Sequence, residues 1–204
     1  MTMPRTFGKE SRIIGSYDWF DLSTGTGYKD YYGTTMIEGS NSEVYLLTPY
    51  TKYYPSSPVS QSVADTELTL NFDLYLALPL TIDGIVLIEA SLYSGQSPGA
   101  KNYTFGIYRV DAASAEHQIG TTTTVNLTVT NTTVIMANVR IDTAGTSRLK
   151  AGETFRLKCY SPSMGGGNSV IWMHDPQNVD PTGARTGYLT SQLKLSLPVK
   201  IFNL

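Results

Sequence analysis

The chain has 204 residues, with 15 Lys and Arg against 17 Asp and Glu and a formal net charge of -2. That length makes one large domain or two small ones, and the near-neutral balance excludes nucleic-acid binding through a broad basic surface. A single Cys excludes an intrachain disulfide and an all-thiolate zinc site, two His leave little for a histidine-rich metal centre, and 41% hydrophobic residues with 14 Tyr exclude wholesale disorder.

The N-terminus, Met1-Thr2-Met3-Pro4-Arg5-Thr6-Phe7, carries no apolar core behind a basic start, so no signal peptide is expected. The longest apolar stretch, Leu74 to Ile82, is broken by Pro79 and Thr81 and falls far short of the about 20 residues of a membrane helix. Folding in a cytosol, with no membrane partner, is the expectation. Sequons at Asn102, Asn126 and Asn131 read as chance in a chain with 26 Thr.

Residues 1 to 40 show no clean alternation. Tyr17, Trp19, Phe20, Tyr28, Tyr31 and Tyr32 lie among Gly, Ser, Thr and Asp. They read as an extended N-terminal arm gripping a neighbouring subunit, or as an early strand folded on its own sandwich. Residues 41 to 204 read as one β-sandwich domain. Val44-Tyr45-Leu46-Leu47 makes its first strand. The segment Thr48 to Val63, with Tyr50, Tyr53 and Tyr54 between prolines, is long enough to be a surface feature.

From Thr66 the period is two. Leu68, Leu70, Phe72, Leu74, Leu76 and Leu78 alternate with Thr69, Asn71, Asp73, Tyr75 and Ala77, so the apolar groups fall on one face of a strand. Val86, Ile88, Ala90 and Leu92 come after Asp83-Gly84, with Ile85 and Leu87 making both faces apolar at first. The pattern recurs at Tyr103, Phe105, Ile107; at Val125, Leu127, Val129; at Ile135, Ala137, Val139, Ile141; at Phe155, Leu157, Cys159; at Val170, Trp172; and from Leu193 to Ile201. Asp111 to Glu116 is expected to form one helical turn. No segment sustains a period near 3.6. About nine strands separated by turn signals predict an all-β, antiparallel β-sandwich, a jelly roll of eight to nine strands rather than a seven-stranded immunoglobulin domain.

Chemistry is sparse. Cys159 shares a face with Phe155 and Leu157, so it is expected to be a buried hydrophobe and not a nucleophile. His117 and His174 are more than fifty residues apart, and His174-Asp175-Pro176 reads as a strand end beside a turn. No Gly-x-Ser-x-Gly elbow and no His-Glu-x-x-His occurs, and Gly165-Gly166-Gly167 lacks the Lys-Ser/Thr of a phosphate loop. No catalytic, cofactor-binding or metal residue is assigned. A glycosidase-type carboxylate pair or a loop Ca²⁺ remains open. The loop tyrosines suit a protein interface or sugar stacking equally.

Arg148-Leu149-Lys150-Ala151-Gly152-Glu153-Thr154-Phe155, the His174-Asp175-Pro176 turn and the ending Leu197-Pro198-Val199-Lys200-Ile201 resemble, over residues 145 to 204, β-sandwich virion structural proteins of tailed phages. The resemblance implies a non-enzymatic capsid decoration or cement protein in the virion, assembled in the host cytoplasm. It would form a homotrimer bridging the major capsid protein or other virion proteins, with Tyr17, Trp19, Phe20, Tyr28, Tyr31, Tyr32, Tyr50, Tyr53 and Tyr54 at the contact and no cofactor. Rival expectations are a carbohydrate-binding module on a phage head or fibre tip, a tail or neck component, and a glycan hydrolase or lyase on the same scaffold.

Overall fold

The computed structural model describes residues 26–38, 42–49, 59–61, 66–94, 99–130, 134–165, 168–174 and 192–200. These residues build thirteen strands: β1 (Thr26–Glu38), β2 (Ser42–Thr48), β3 (Val59–Gln61), β4 (Leu68–Tyr75), β5 (Leu80–Ile82), β6 (Ile85–Ser94), β7 (Gly99–Val110), β8 (Glu116–Val129), β9 (Ile135–Asp142), β10 (Ser147–Leu149), β11 (Thr154–Ser161), β12 (Val170–Met173) and β13 (Leu193–Lys200). The main path runs β3-β12-β6-β13-β1-β2-β4-β11-β7-β8, with β9 on β6 and β5 joining β10 to β13. Pairing is antiparallel except for one parallel bridge, Leu46 with Asp73, between β2 and β4. β8 then returns against β9, where the Thr123 hydroxyl donates to the Arg140 carbonyl at 3.0 Å. The all-β, nearly closed jelly-roll-like sandwich is therefore as the alternation predicts.

The core is what period two places inward. Leu70 and Phe72 of β4, Val86, Ile88, Ala90 and Leu92 of β6, Tyr103, Phe105 and Ile107 of β7, Ala137, Val139 and Ile141 of β9, and Phe155, Leu157 and Cys159 of β11 are all buried. Trp172 sits among them, edge-on to Tyr103 and Phe105 at 6.1 and 5.6 Å between ring centres. At roughly 25 cal/mol per Å² of apolar surface, such rows supply the main folding drive. Two local expectations change. β4 ends at Tyr75 and Leu76 just beyond it is still buried, but Leu78, the last of the predicted row, is 77% exposed in the loop before β5. Residues 111–115 form no helical turn: Asp111 Oδ1 accepts the Ala113 and Ala115 amides, both at 2.9 Å, and Glu116 already begins β8.

Thr26 to Glu38, within the stretch read as an arm, form β1, an interior strand between β13 and β2. Tyr31 is 5% exposed, and burial pushes its hydroxyl pKa up to about 12. The Tyr28 hydroxyl donates to the Ile85 carbonyl at 3.1 Å. Tyr32 is half-buried and faces Lys194 and Thr48 in register. Tyr17, Trp19, Phe20, Tyr50, Tyr53 and Tyr54 lie outside the described residues.

Candidate functional site

The site begins with strand parity. Along β7 the inward row runs Tyr103, Phe105, Ile107, and the next inward position is Arg109. Its register partners, Phe155 of β11 and His117 of β8, confirm the face, since Phe155 is fully buried. An otherwise apolar row thus ends in a guanidinium, at the penultimate residue of β7. The β7–β8 pairing is irregular just before this point. Phe105 faces Thr123 and Ile107 faces Ile119, so residues 120–122 of β8 stand against Gly106 alone. Bulges of this kind bend a strand and re-aim the side chains beyond it. Gly120 permits the bend: its φ is +66°, and a Cβ there would collide with the Asp142 carbonyl oxygen.

The opposite wall is β10. Its approach loop is tied to the β5–β6 turn: the Thr143 hydroxyl donates to the Gly84 carbonyl at 2.9 Å and accepts the Gly84 amide at 3.1 Å, and the Thr146 hydroxyl donates to Asp83 at 2.8 Å. β10 itself pairs with β5, Arg148 opposite Thr81. Together the two walls enclose a cavity of about 210 Å³ lined by Arg109, His117, Gln118, Ile119, Ser147, Arg148 and Leu149.

The electrostatics of this mouth are one-sided. Its lining holds two arginines and a histidine and no carboxylate. Asp111, at the rim, is committed elsewhere: besides the two loop amides, its Oδ2 accepts His117 Nε2–H at 2.9 Å. That bond, first among the causes, holds the Asp111 carboxyl below the usual carboxylate range. An ionised carboxylate only accepts, so the proton of this contact sits on Nε2, and Nδ1 is the ring nitrogen left to face other groups. The arrangement can therefore bind an anion, orient it against a hydroxyl from Ser147, and hold or move a proton at His117.

Other titratable groups are structural. On the outer face, Arg156 makes a bidentate pair with Asp73 (2.7 and 2.6 Å) and a further bond to Glu116 (2.7 Å), which also receives Lys158. The Lys158 hydrogen bond leads the causes that lower the Glu116 pKa. Cys159 is fully buried and burial raises its thiol pKa, so it is not a nucleophile. His174 is 1% exposed, packed edge-on to Tyr45 and Phe72 at 5.8 and 5.7 Å, and burial pushes its pKa down to about 4. Among the described residues no group of three or more His, Cys, Asp and Glu could hold a metal ion.

This mouth does not show itself in the sequence, where His117 stands isolated and Arg109 and Arg148 belong to no motif. One signal was present all the same, because a charged residue occupies an inward position of an otherwise apolar row.

No protein-family profile matches the sequence, and no curated protein does. Among solved structures, the chain is similar to a CocE/NonD family hydrolase from Staphylococcus aureus, with a TM-score of 0.58 and 12% identity over 86% of this chain and 37% of that one. It is similar to an alpha-amino acid ester hydrolase, with a TM-score of 0.56 and 11% identity over 84% and 36%. A match to infectious bursal disease virus has a TM-score of 0.26 and supports no shared fold. What the hydrolases share with this chain is the fold, and the chain spans little more than a third of their length. These matches overturn the resemblance to tailed-phage virion proteins. With it fall the non-enzymatic capsid decoration or cement role and its phage-borne alternatives, the glycan-binding head or fibre tip and the tail or neck component. The physical reason is plain in the residues that carried the resemblance. Ala151-Gly152-Glu153 is a turn into β11, with Gly152 at φ +83° and the Glu153 carboxylate accepting the Lys150 amide at 2.7 Å. Leu195, Leu197 and Val199 are a buried row of β13. Turn and core chemistry of this kind belongs to the sandwich, wherever the sandwich is used.

Proposed function

We propose that the chain takes part in the hydrolysis of small esters or amides, as the β-sandwich part of a hydrolase, with the Arg109–His117–Arg148 mouth as its substrate-facing surface. The observation that carries the reading is the likeness of 84 to 86% of this chain to two hydrolases at TM-scores of 0.56 to 0.58. The mouth supports it with the right chemistry. Acyl transfer develops negative charge on oxygen, which guanidinium groups stabilise in a partly desolvated site. It also needs a proton acceptor, and the Asp111–His117 pair supplies one in the orientation a carboxylate imposes. The remaining two thirds of those hydrolases have no counterpart in this chain, so the proposal concerns a part of such an enzyme rather than its whole cycle.

Titrating the protein with an uncharged N-acetyl amino-acid ester, followed by backbone-amide NMR, tests this reading. The expected result is a set of shifts confined to residues 109, 117–119 and 147–149, lost in His117→Ala. Shifts at the outer face of β7 and β8 instead, or none at all, overturn it.

A further inference from the structure

We propose that the sandwich mouth is a carboxylate-binding site, with Arg109 and Arg148 as the two cations that hold a small carboxylic acid. Neither guanidinium has an ion-pair or hydrogen-bonding partner among the described residues, whereas Arg156, Lys158 and Lys194 all have carboxylate partners. Arg109 Nε is buried and without a hydrogen-bond partner. An unsatisfied buried N–H is costly, and in a folded protein it points to a missing water, ion or ligand. The fold could have neutralised it locally, since Asp111 is two residues away. That carboxylate is instead turned to His117 and the loop amides. Two unpaired guanidinium groups, no acid in the lining and a ring N–H already engaged make a receptor for one oxyanion, bound through charge-assisted N–H···O contacts.

Size narrows the ligand. A cavity of about 210 Å³ lies below the ~300 Å³ at which drug-sized sites begin. The site therefore suits a short-chain acid with its apolar end against Ile119 and Leu149. That this acid is the product of ester or amide hydrolysis rests on the reading above, while the anion site itself stands on the two arginines alone.

Calorimetric titration of the protein at low ionic strength with acetate, succinate and inorganic phosphate tests the proposal. Acetate and succinate are expected to bind one per chain. Arg148→Gln, at an exposed position, should weaken both about tenfold or more, and Arg109→Lys should weaken them while keeping the charge. Lys101→Gln, eight residues from Arg109 along β7, should leave binding unchanged. Absence of carboxylate binding, equal binding by Arg148→Gln, or binding of phosphate alone overturns the proposal. Carboxylate binding without engagement of the neutral ester supports the site and removes the hydrolytic reading, so the two fail separately.

Discussion

At the scale of single residues, burial and charge assign opposite roles to the two histidines. His174 is sealed between Tyr45 and Phe72 and stays neutral. Its folded pKa of about 4 lies below the ordinary 6.5. As pH falls below about 6.5 the unfolded chain takes up a proton that the folded chain refuses until about pH 4. Stability is therefore full above that window and declines through it, by about 3 kcal/mol in all. Urea unfolding at pH 7, 5.5 and 4 should show this loss, and His174→Phe should flatten the slope. His117 is different, because it lies at the surface and is held by Asp111. Asp111 has a lowered folded pKa, so its contribution is present above the usual carboxylate range and lost as pH falls through that lowered value. Asp111→Ala should loosen residues 111–115, read as faster amide exchange at Ala113 and Ala115, with the core amides unchanged. Six residues separate Asp111 from His117 in the sequence, and nothing in that spacing announces a pair. The tight loop that brings them together depends on Asp111 accepting two backbone amides, which is a three-dimensional fact.

At the scale of strands, alternation fixes faces well and ends badly. Period two correctly turned Leu70 and Phe72 inward, but it carried the same row on to Leu78, beyond the end of β4 at Tyr75. The chain leaves the ladder where Gly152 and Glu153 bond to both polar groups of Leu76, and those partners lie about eighty residues away. Phe72→Ala is expected to cost about 3–5 kcal/mol, whereas Leu78→Ser should stay within about 0.5 kcal/mol. Chemical denaturation of the two variants separates a core row from its apparent continuation. The bend of β8 was equally hidden. Gly120 reads in sequence as an ordinary residue before four threonines, yet its positive φ and its approach to Asp142 set where β8 meets β9. Gly120→Ala forces a side chain into the Asp142 carbonyl from a conformation that already disfavours one, and should cost at least about 2 kcal/mol. The loss should appear in thermal unfolding, with the amides of 116–119 perturbed in the folded state.

At the scale of the whole molecule, fold and function differ in how far the sequence carried. The two-layered all-β architecture was legible because it is written in repeated apolar rows that only a pleated sandwich can bury together. The Tyr-rich segment before residue 40 was not legible in the same way. β1 is an interior strand whose neighbours, β13 and β2, lie at opposite ends of the chain, and its small and polar residues hide the row that holds Tyr31. The mouth was illegible for a related reason. It is assembled from the end of β7, the start of β8 and the three-residue β10, joined by bonds between Thr143, Gly84, Thr146 and Asp83. A likeness drawn from turns and core rows led to virion proteins, whereas a comparison of the whole fold, which weighs every element at once, finds a likeness of fold to two hydrolases.

The central claim is that this sandwich works through its open end, where Arg109 and Arg148 await an anion. A crystal structure grown in the presence of succinate tests it most directly. The account predicts a carboxylate seated between the two guanidinium groups, within hydrogen-bonding distance of Arg109 Nε and beside His117. A mouth in which both arginines turn to carboxylates of the chain itself, with no anion between them, would contradict it.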